Sequence, residues 1–390
     1  MSRAEDHRVH VPRRPWLLRT VSQVVALEAA VLLALIFVLR GSTLGILVGG
    51  FLAILVLLLA VPFVGGRSLV SWIRLRMAYG ARAAYEVAPG RVPDDLMPLA
   101  EWMPRLSVSQ TRSGRGDDIG IISDGEGWAA VVAIDSDFDL LADDVDDIDL
   151  DALADLSSAD DIVFAGIQLV SYTVPAPTSL LLGGQSPGAA SYRELQADLP
   201  PAMRRSWLCL RLDPSRCLAA VTRRGAGAEG VHAALRFGLH RMQSALKRQG
   251  IDTSVLGPAD LYEAMALACG TDPNPRPGAR SDEHWEYWEC DGLVHSGQRV
   301  TTDLGNSSES YAALLDAVAT APVLFALTSY TLEPSGKASG AVRLVTPNTD
   351  TAITAIDSVN DTLHGRITLA AAGGVQVPAM LATIPLGRGF

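Results

Sequence analysis

The chain has 390 residues, a formal net charge of −11 and a mean hydropathy of +0.22, with its apolar content concentrated before residue 65. A wholly water-soluble protein is excluded by that distribution, which implies a membrane portion followed by about 300 residues, enough to bury a core. Eleven arginines against four acids up to Arg91 give about +7, so the rest carries about −18 and repels nucleic acid.

Residues 1–20 form a basic N-terminus. Two apolar runs follow, VSQVVALEAAVLLALIFVL over 21–39 and LGILVGGFLAILVLLLAVPFV over 44–64. About 20 residues at 1.5 Å each cover the roughly 30 Å hydrocarbon core, so each run predicts a transmembrane helix. Only residues 40–43 separate them, which predicts a tight hairpin. Two full-length runs back to back are not a signal peptide, which has one apolar stretch of about 7 to 15 residues. Arg3, Arg8, Arg13, Arg14 and Arg19 precede the first run, and Arg67, Arg74, Arg76 and Arg82 follow the second. The positive-inside rule then places both termini in the cytoplasm, with Trp16 and Trp72 as interfacial anchors.

Glu28 lies within the first run, where an ionisable group costs roughly 2.5 to 3.5 kcal/mol. It either faces a helix of another subunit or is protonated against its own hairpin. Gly41, Gly45 and Gly49 form a small-residue stripe that admits a close helix, either the first run through Ala26, Ala30 and Ala34 or a foreign one. Residues 65–92, including Trp72, Arg74 and Arg76, predict a basic juxtamembrane helix among lipid headgroups.

A mixed α/β domain is expected over 93–390. Asp124-Gly125 between apolar runs at 119–123 and 128–134 signals a hairpin. A helix at 150–156 and a buried strand in IVFAGIQLVSYTV follow. Strands SWLCLRL and CLAAVTR, a long helix at 230–249 and a strand at 251–256 repeat that order. WEYWEC, LVHSGQRVTTDL, a helix at 309–319 and PVLFALTSYTL give a third pass, and 323–346 with a helix at 350–363 a fourth. Recurring ββαβ order predicts helices packed on mixed sheets. Breaks near 178–190 and 270–280 read as sub-boundaries.

Several motifs touch on chemistry. Gly225, Gly227 and Gly230 match G-x-G-x-x-G after an expected strand and at the start of a helix, the setting of a dinucleotide fingerprint. Against it, Glu229 would meet the pyrophosphate, and no acid follows the next strand for the ribose. Close packing of the helix is the competing explanation. Residues 184–188 match the G-x-S-x-G elbow, but Pro187 lacks the oxyanion-hole N–H. The acidic run at 135–161 lacks the EF-hand glycine and terminal glutamate. Asp135-Ser136-Asp137 is the one candidate for a D-x-D metal motif. His284, His295 and His364 lack ligand spacing, and Trp285 and Trp288 suit core packing or an interface. Cys209, Cys217, Cys269 and Cys290 show no C-x-x-C spacing, so reduced thiols are expected. No catalytic residue, metal or cofactor is expected.

The double span, IQLVSYTVPAP, LRLDP with VTRRGAGAEG and a helix ending near SALKRQGI, the EHWEYW run and GRITLAAAGGVQVPAMLATIPLG succeed one another in an order that resembles EccE. EccE is the membrane component of the actinobacterial type VII (ESX) secretion system. The chain departs from the family where Ala226 and Ala228 replace glycine or polar residues. The resemblance implies a non-catalytic structural role in the inner membrane beside EccB, EccC and EccD, at the periphery of a hexameric assembly, with EccC supplying energy. The competing classes are a membrane-tethered glycosyltransferase-like enzyme or hydrolase at the inner leaflet, and a nucleotide-sensing membrane module.

Overall fold

The computed structural model describes residues 43–60, 62–64, 67–88, 90–114, 116–135, 148–156, 161–175, 202–225, 227–272, 274–275, 280–304 and 308–390, with eleven positions between 25 and 39. The chain divides into two compact units, Met1–Arg82 and Ala83–Phe390.

In the first unit, the described positions of the run at 21–39 are helical; 21–24, 26, 27, 33 and 38 lie outside the described residues. Helix α1 (Thr43–Ala60) carries no charged residue. Its 18 residues come to about 27 Å, short of the roughly 30 Å core. No helix among the described residues is long and apolar enough to cross a membrane. The helix expected over 44–64 stops at Ala60 because Pro62 disfavours α geometry in the residue before it. The chain turns instead into a small antiparallel pair, β1 (Pro62–Val64) with β2 (Arg67–Ser68). Helix α2 (Leu69–Ala81) follows, within the expected basic segment.

The second unit is built on one large sheet. Its elements are α3 (Met97–Ala100), β3 (Ser107–Arg112), β4 (Asp118–Ser123), β5 (Trp128–Ile134), α4 (Leu150–Leu156), β6 (Gly166–Val174), β7 (Met203–Leu212), α5 (Leu218–Arg224), α6 (Ala228–Arg248), β8 (Thr253–Val255) and α7 (Pro258–Cys269). They continue with β9 (Ser281–Glu283), β10 (Trp288–Cys290), β11 (Leu293–Val300), α8 (Ser308–Ala319), β12 (Phe325–Leu332), β13 (Ala338–Thr346), α9 (Thr349–Leu363), β14 (Leu369–Ala371) and α10 (Gln376–Leu381). The strand order is β3-β4-β5-β7-β6-β12-β13-β11-β10-β9, with β8 on β5 and β14 on β11.

Among the described residues every pairing is antiparallel, which corrects the expected mixed sheet. The β-α-β order suggests adjacent parallel strands. Here each crossover steps over a strand: β5 and β6 run parallel, but β7 lies between them. The order β-β-β-α-β-β-α-β-α therefore occurs twice, with α5 an additional helix before α6 in the first half. In the first half β5 pairs with β4 through 128–130 and with β8 through 132–134 along one edge. In the second, β11 pairs with β10 through 293–295 and with β14 through 298–300. The halves meet where β6 pairs with β12 over Ile167–Leu332 to Thr173–Ala326. An antiparallel junction with equivalent helices on one face defines a pseudo-twofold axis normal to the sheet.

The crossover helices α4, α5, α6, α8 and α9 bury Leu153, Val221, Leu239, Tyr311 and Val359 on one face. On the other face α3, α7 and α10 bury Leu99, Met265 and Met380. The sequence reading missed α7 and α10 as well as β3, and the strand expected at CLAAVTR is helix α5. Asp213 caps the turn before it by accepting from the Ser215 amide at 3.0 Å, and the Thr222 hydroxyl donates back to Leu218 at 2.8 Å. The break expected near 270–280 connects α7 to β9 within the one compact unit, and the one near 178–190 lies outside the described residues.

Candidate functional site

The N-terminal unit holds most of the expected assembly residues. Glu28 is exposed. Gly41 lies outside the described residues; Gly45 is half-buried and Gly49 buried. A Cβ on Gly49 would fall 2.5 Å from Phe37 Cβ, so α1 approaches the preceding apolar segment there as a small residue permits. Trp72 is half-buried, while Arg74 and Arg76 are exposed.

The glycine turn joins helix to helix, so the strand required by the dinucleotide fingerprint is absent from its place. A Cβ on Gly230 would lie 2.4 Å from the carbonyl oxygens of both Gly225 and Val221. Gly230 is thus where α6 closes on the end of α5, and Gly227 takes φ +59° at the N-terminus of α6. Arg223 and Arg224 both donate to Asp161, at 2.5 and 2.7 Å, and their hydrogen bonds hold its carboxyl below the ordinary range. Arg236 reaches Glu229 at 3.0 Å.

Two buried polar clusters escaped sequence reading. In the first, the Asp124 carboxylate accepts from Arg211 at 2.7 and 3.1 Å and from Arg388 Nε at 2.8 Å. The amides of Glu126 and Gly127 donate to it at 2.9 and 2.8 Å. Burial pushes the carboxyl pKa up, and the hydrogen bonds and charges of the two guanidinium groups more than reverse this, leaving it at about 2. In the sequence Asp124 reads only as a turn residue, and the other signal is a lone Arg inside the apolar strand LCLRL. In the second cluster the buried Arg343 guanidinium donates to the Ala268 carbonyl at the end of α7 and lies 3.2 Å from His295 Nδ1. A guanidinium only donates, so Nδ1 accepts and the imidazole proton sits on Nε2. Burial, with the Arg343 charge, drives the His295 pKa well below its ordinary value. The cation is stabilised by the carbonyl end of a helix.

The remaining candidates are packing residues. Trp288 is fully buried, and Trp285 covers Gly374, whose added Cβ would lie 2.7 Å from the indole. His284 stacks on Tyr287 at 4.4 Å, and His364 takes φ +48° at the C-cap of α9. Asp135 accepts from the Ser254 hydroxyl at 2.8 Å; Asp137, Ser136 and residues 184–188 lie outside the described residues. All four cysteines are buried free thiols, and burial pushes the Cys269 thiol up to about 12. Among the described residues no group of three or more His, Cys, Asp or Glu could hold a metal ion. A surface cleft of about 660 Å³ is lined by Tyr172, Arg205, Tyr262, Glu263 and Phe325, with Arg205 3.4 Å from Glu263.

Fold and polar groups together define an antiparallel α/β layer of two topologically similar halves, whose buried charges bind its own segments to one another. Residues 200–300, from the strand β7 through α6 and α7 to β11, match the EccE family model, "Putative type VII ESX secretion system translocon, EccE". Over that stretch, which includes LRLDP, VTRRGAGAEG, SALKRQGI and EHWEYW, the chain is similar to the EccE family, and that likeness implies a component of the type VII secretion translocon. No curated protein matches the chain.

Proposed function

We propose that the chain is a non-catalytic structural component of the inner-membrane type VII secretion complex. Its N-terminal unit is held in the bilayer as a hairpin, both termini are cytoplasmic, and the α/β unit works from the cytoplasmic side. The EccE match over 200–300 carries this reading. The apolar runs at 21–39 and 44–64, flanked on both sides by arginines, support the membrane part. EccB, EccC and EccD are the proposed partners. Glu28, Gly41, Gly45 and Gly49 are proposed helix contacts; Trp72, Arg74 and Arg76 are proposed to meet lipid headgroups.

Affinity capture of the chain in mild detergent tests the assembly: EccC, EccB and EccD are expected to co-purify, and capture without any of them refutes it. Carbonate washing and protease added outside spheroplasts test the membrane part. Release into the supernatant, or digestion of the α/β unit from outside, refutes the anchoring or the orientation.

A further inference from the structure

The two halves of the sheet are topologically equivalent, yet α6 and its equivalent α9 carry opposite charge, whereas α4 and its equivalent α8 are both acidic. Helix α6 has Arg236, Arg241, Lys247 and Arg248 against Glu229, and α5 before it ends in Arg223 and Arg224. At the matching place in the other half, α9 has Asp350, Asp357 and Asp361 and no cation; its neighbour α8 has Glu309 and Asp316 and no cation. Both groups lie on one face of the sheet. α6 covers β5, β7 and β8, whereas α9 covers β13 and β11, toward the opposite end.

Helices α6 and α9 each display one large apolar side chain, and α5 adds the exposed Leu218 to the basic face. Phe237 is 37% exposed, with the guanidinium groups of Arg224 and Arg241 5.4 and 5.7 Å from its ring centre. Ile353 is 61% exposed, within a turn of the exposed Asp350 and Asp357. Mixed signs on each helix would serve solubility as well, and gathering one sign in one place costs self-repulsion. A basic helix on a chain of net charge −11 runs against the overall balance.

We propose that the α5–α6 face of one copy docks on the α8–α9 face of a second copy. Charge complementarity identifies the occupant: the surface that suits a basic patch centred on an aromatic ring is an acidic one centred on an aliphatic group, and this chain displays it. Phe237 and Ile353 form the apolar centre, with the cations and carboxylates as its rim. Both patches lie on one face toward opposite ends, so two copies docked face to face join both pairs at once in a closed two-fold dimer, whereas contact through one pair leaves a free patch of each kind and extends to a ring or an open row. This inference does not depend on the secretion reading.

Sedimentation of the full chain in mild detergent, over a range of concentration and salt, tests it. Self-association that weakens as salt rises is expected. The double variants R241E/R248E and D357R/D361R should each weaken it by about tenfold or more. Mixing the two variants should restore it, because the reversed α6 of one then faces the reversed α9 of the other. The native thiols are buried, so a copy with Phe237→Cys should cross-link to a copy with Ile353→Cys and neither to itself. Absent self-association, variants that associate like the parent, no recovery in the mixture, or self-cross-linking of Phe237→Cys overturns the proposal. Salt-sensitive capture of a different acidic partner by the α6 face, without self-association, overturns it likewise.

Discussion

Asp124 shows how a single carboxylate is used in this fold. Its side chain is 1% exposed and holds Arg211 and Arg388 together. Because its folded pKa of about 2 lies below its unfolded value near 3.9, the stabilisation is fully present above about pH 4 and is lost as the pH falls toward 2. The shift is worth about 2 kcal/mol, so the unfolding free energy from urea titrations followed by tryptophan fluorescence should fall by that amount across the window. Asp124→Ala should cost about 3–5 kcal/mol at neutral pH, since it leaves the Arg211 charge buried without its partner. A variant with the parent's midpoint and pH profile would refute this account.

At the scale of elements, the α5–α6 turn separates packing from ligand binding. Gly230→Ala puts a methyl group against two carbonyl oxygens and should destabilise the protein by about 1–3 kcal/mol in thermal or urea melts. Adding ATP or NAD should leave the melting temperature of the parent unchanged; a dose-dependent rise would reinstate the nucleotide reading. Local signals located many elements correctly. Asp124-Gly125 marks the β4–β5 hairpin through its turn geometry, and apolar periodicity marks α6, α8 and α9. Residues 217–223 read as a strand in the sequence yet fold into α5, because a short apolar run has no period that distinguishes strand from helix. Strand order depends on contacts far apart in sequence, so the skipped strand in each crossover, and with it the antiparallel sheet, left no local trace. The polar clusters were hidden for the same reason: Asp124 and Arg388 stand 264 residues apart.

Across the whole molecule, residues 382–390 tie the second half of the sheet to the first. Gln168 on β6 donates to the carbonyls of Ala382 and Arg388 at 2.7 and 3.1 Å and accepts from the Gly387 amide at 2.7 Å. Arg211 donates to the Leu386 carbonyl at 3.1 Å. Removing residues 386–390 exposes the site of a buried leucine and leaves Gln168 and Arg211 short of partners. A loss of about 3 kcal/mol or more is expected in denaturation of the full chain in mild detergent. A truncated chain as stable as the parent would show that this segment covers the first half without holding it.

This fastening also imposes an order on biosynthesis. Gln168 waits for a partner 214 residues downstream, which at about 5 to 20 residues per second is on the order of ten to forty seconds of translation. Until then β6 holds Gln168 without its carbonyl partner, and the first half of the sheet has an open seam. The unfinished sheet passes that interval with edges open to aggregation.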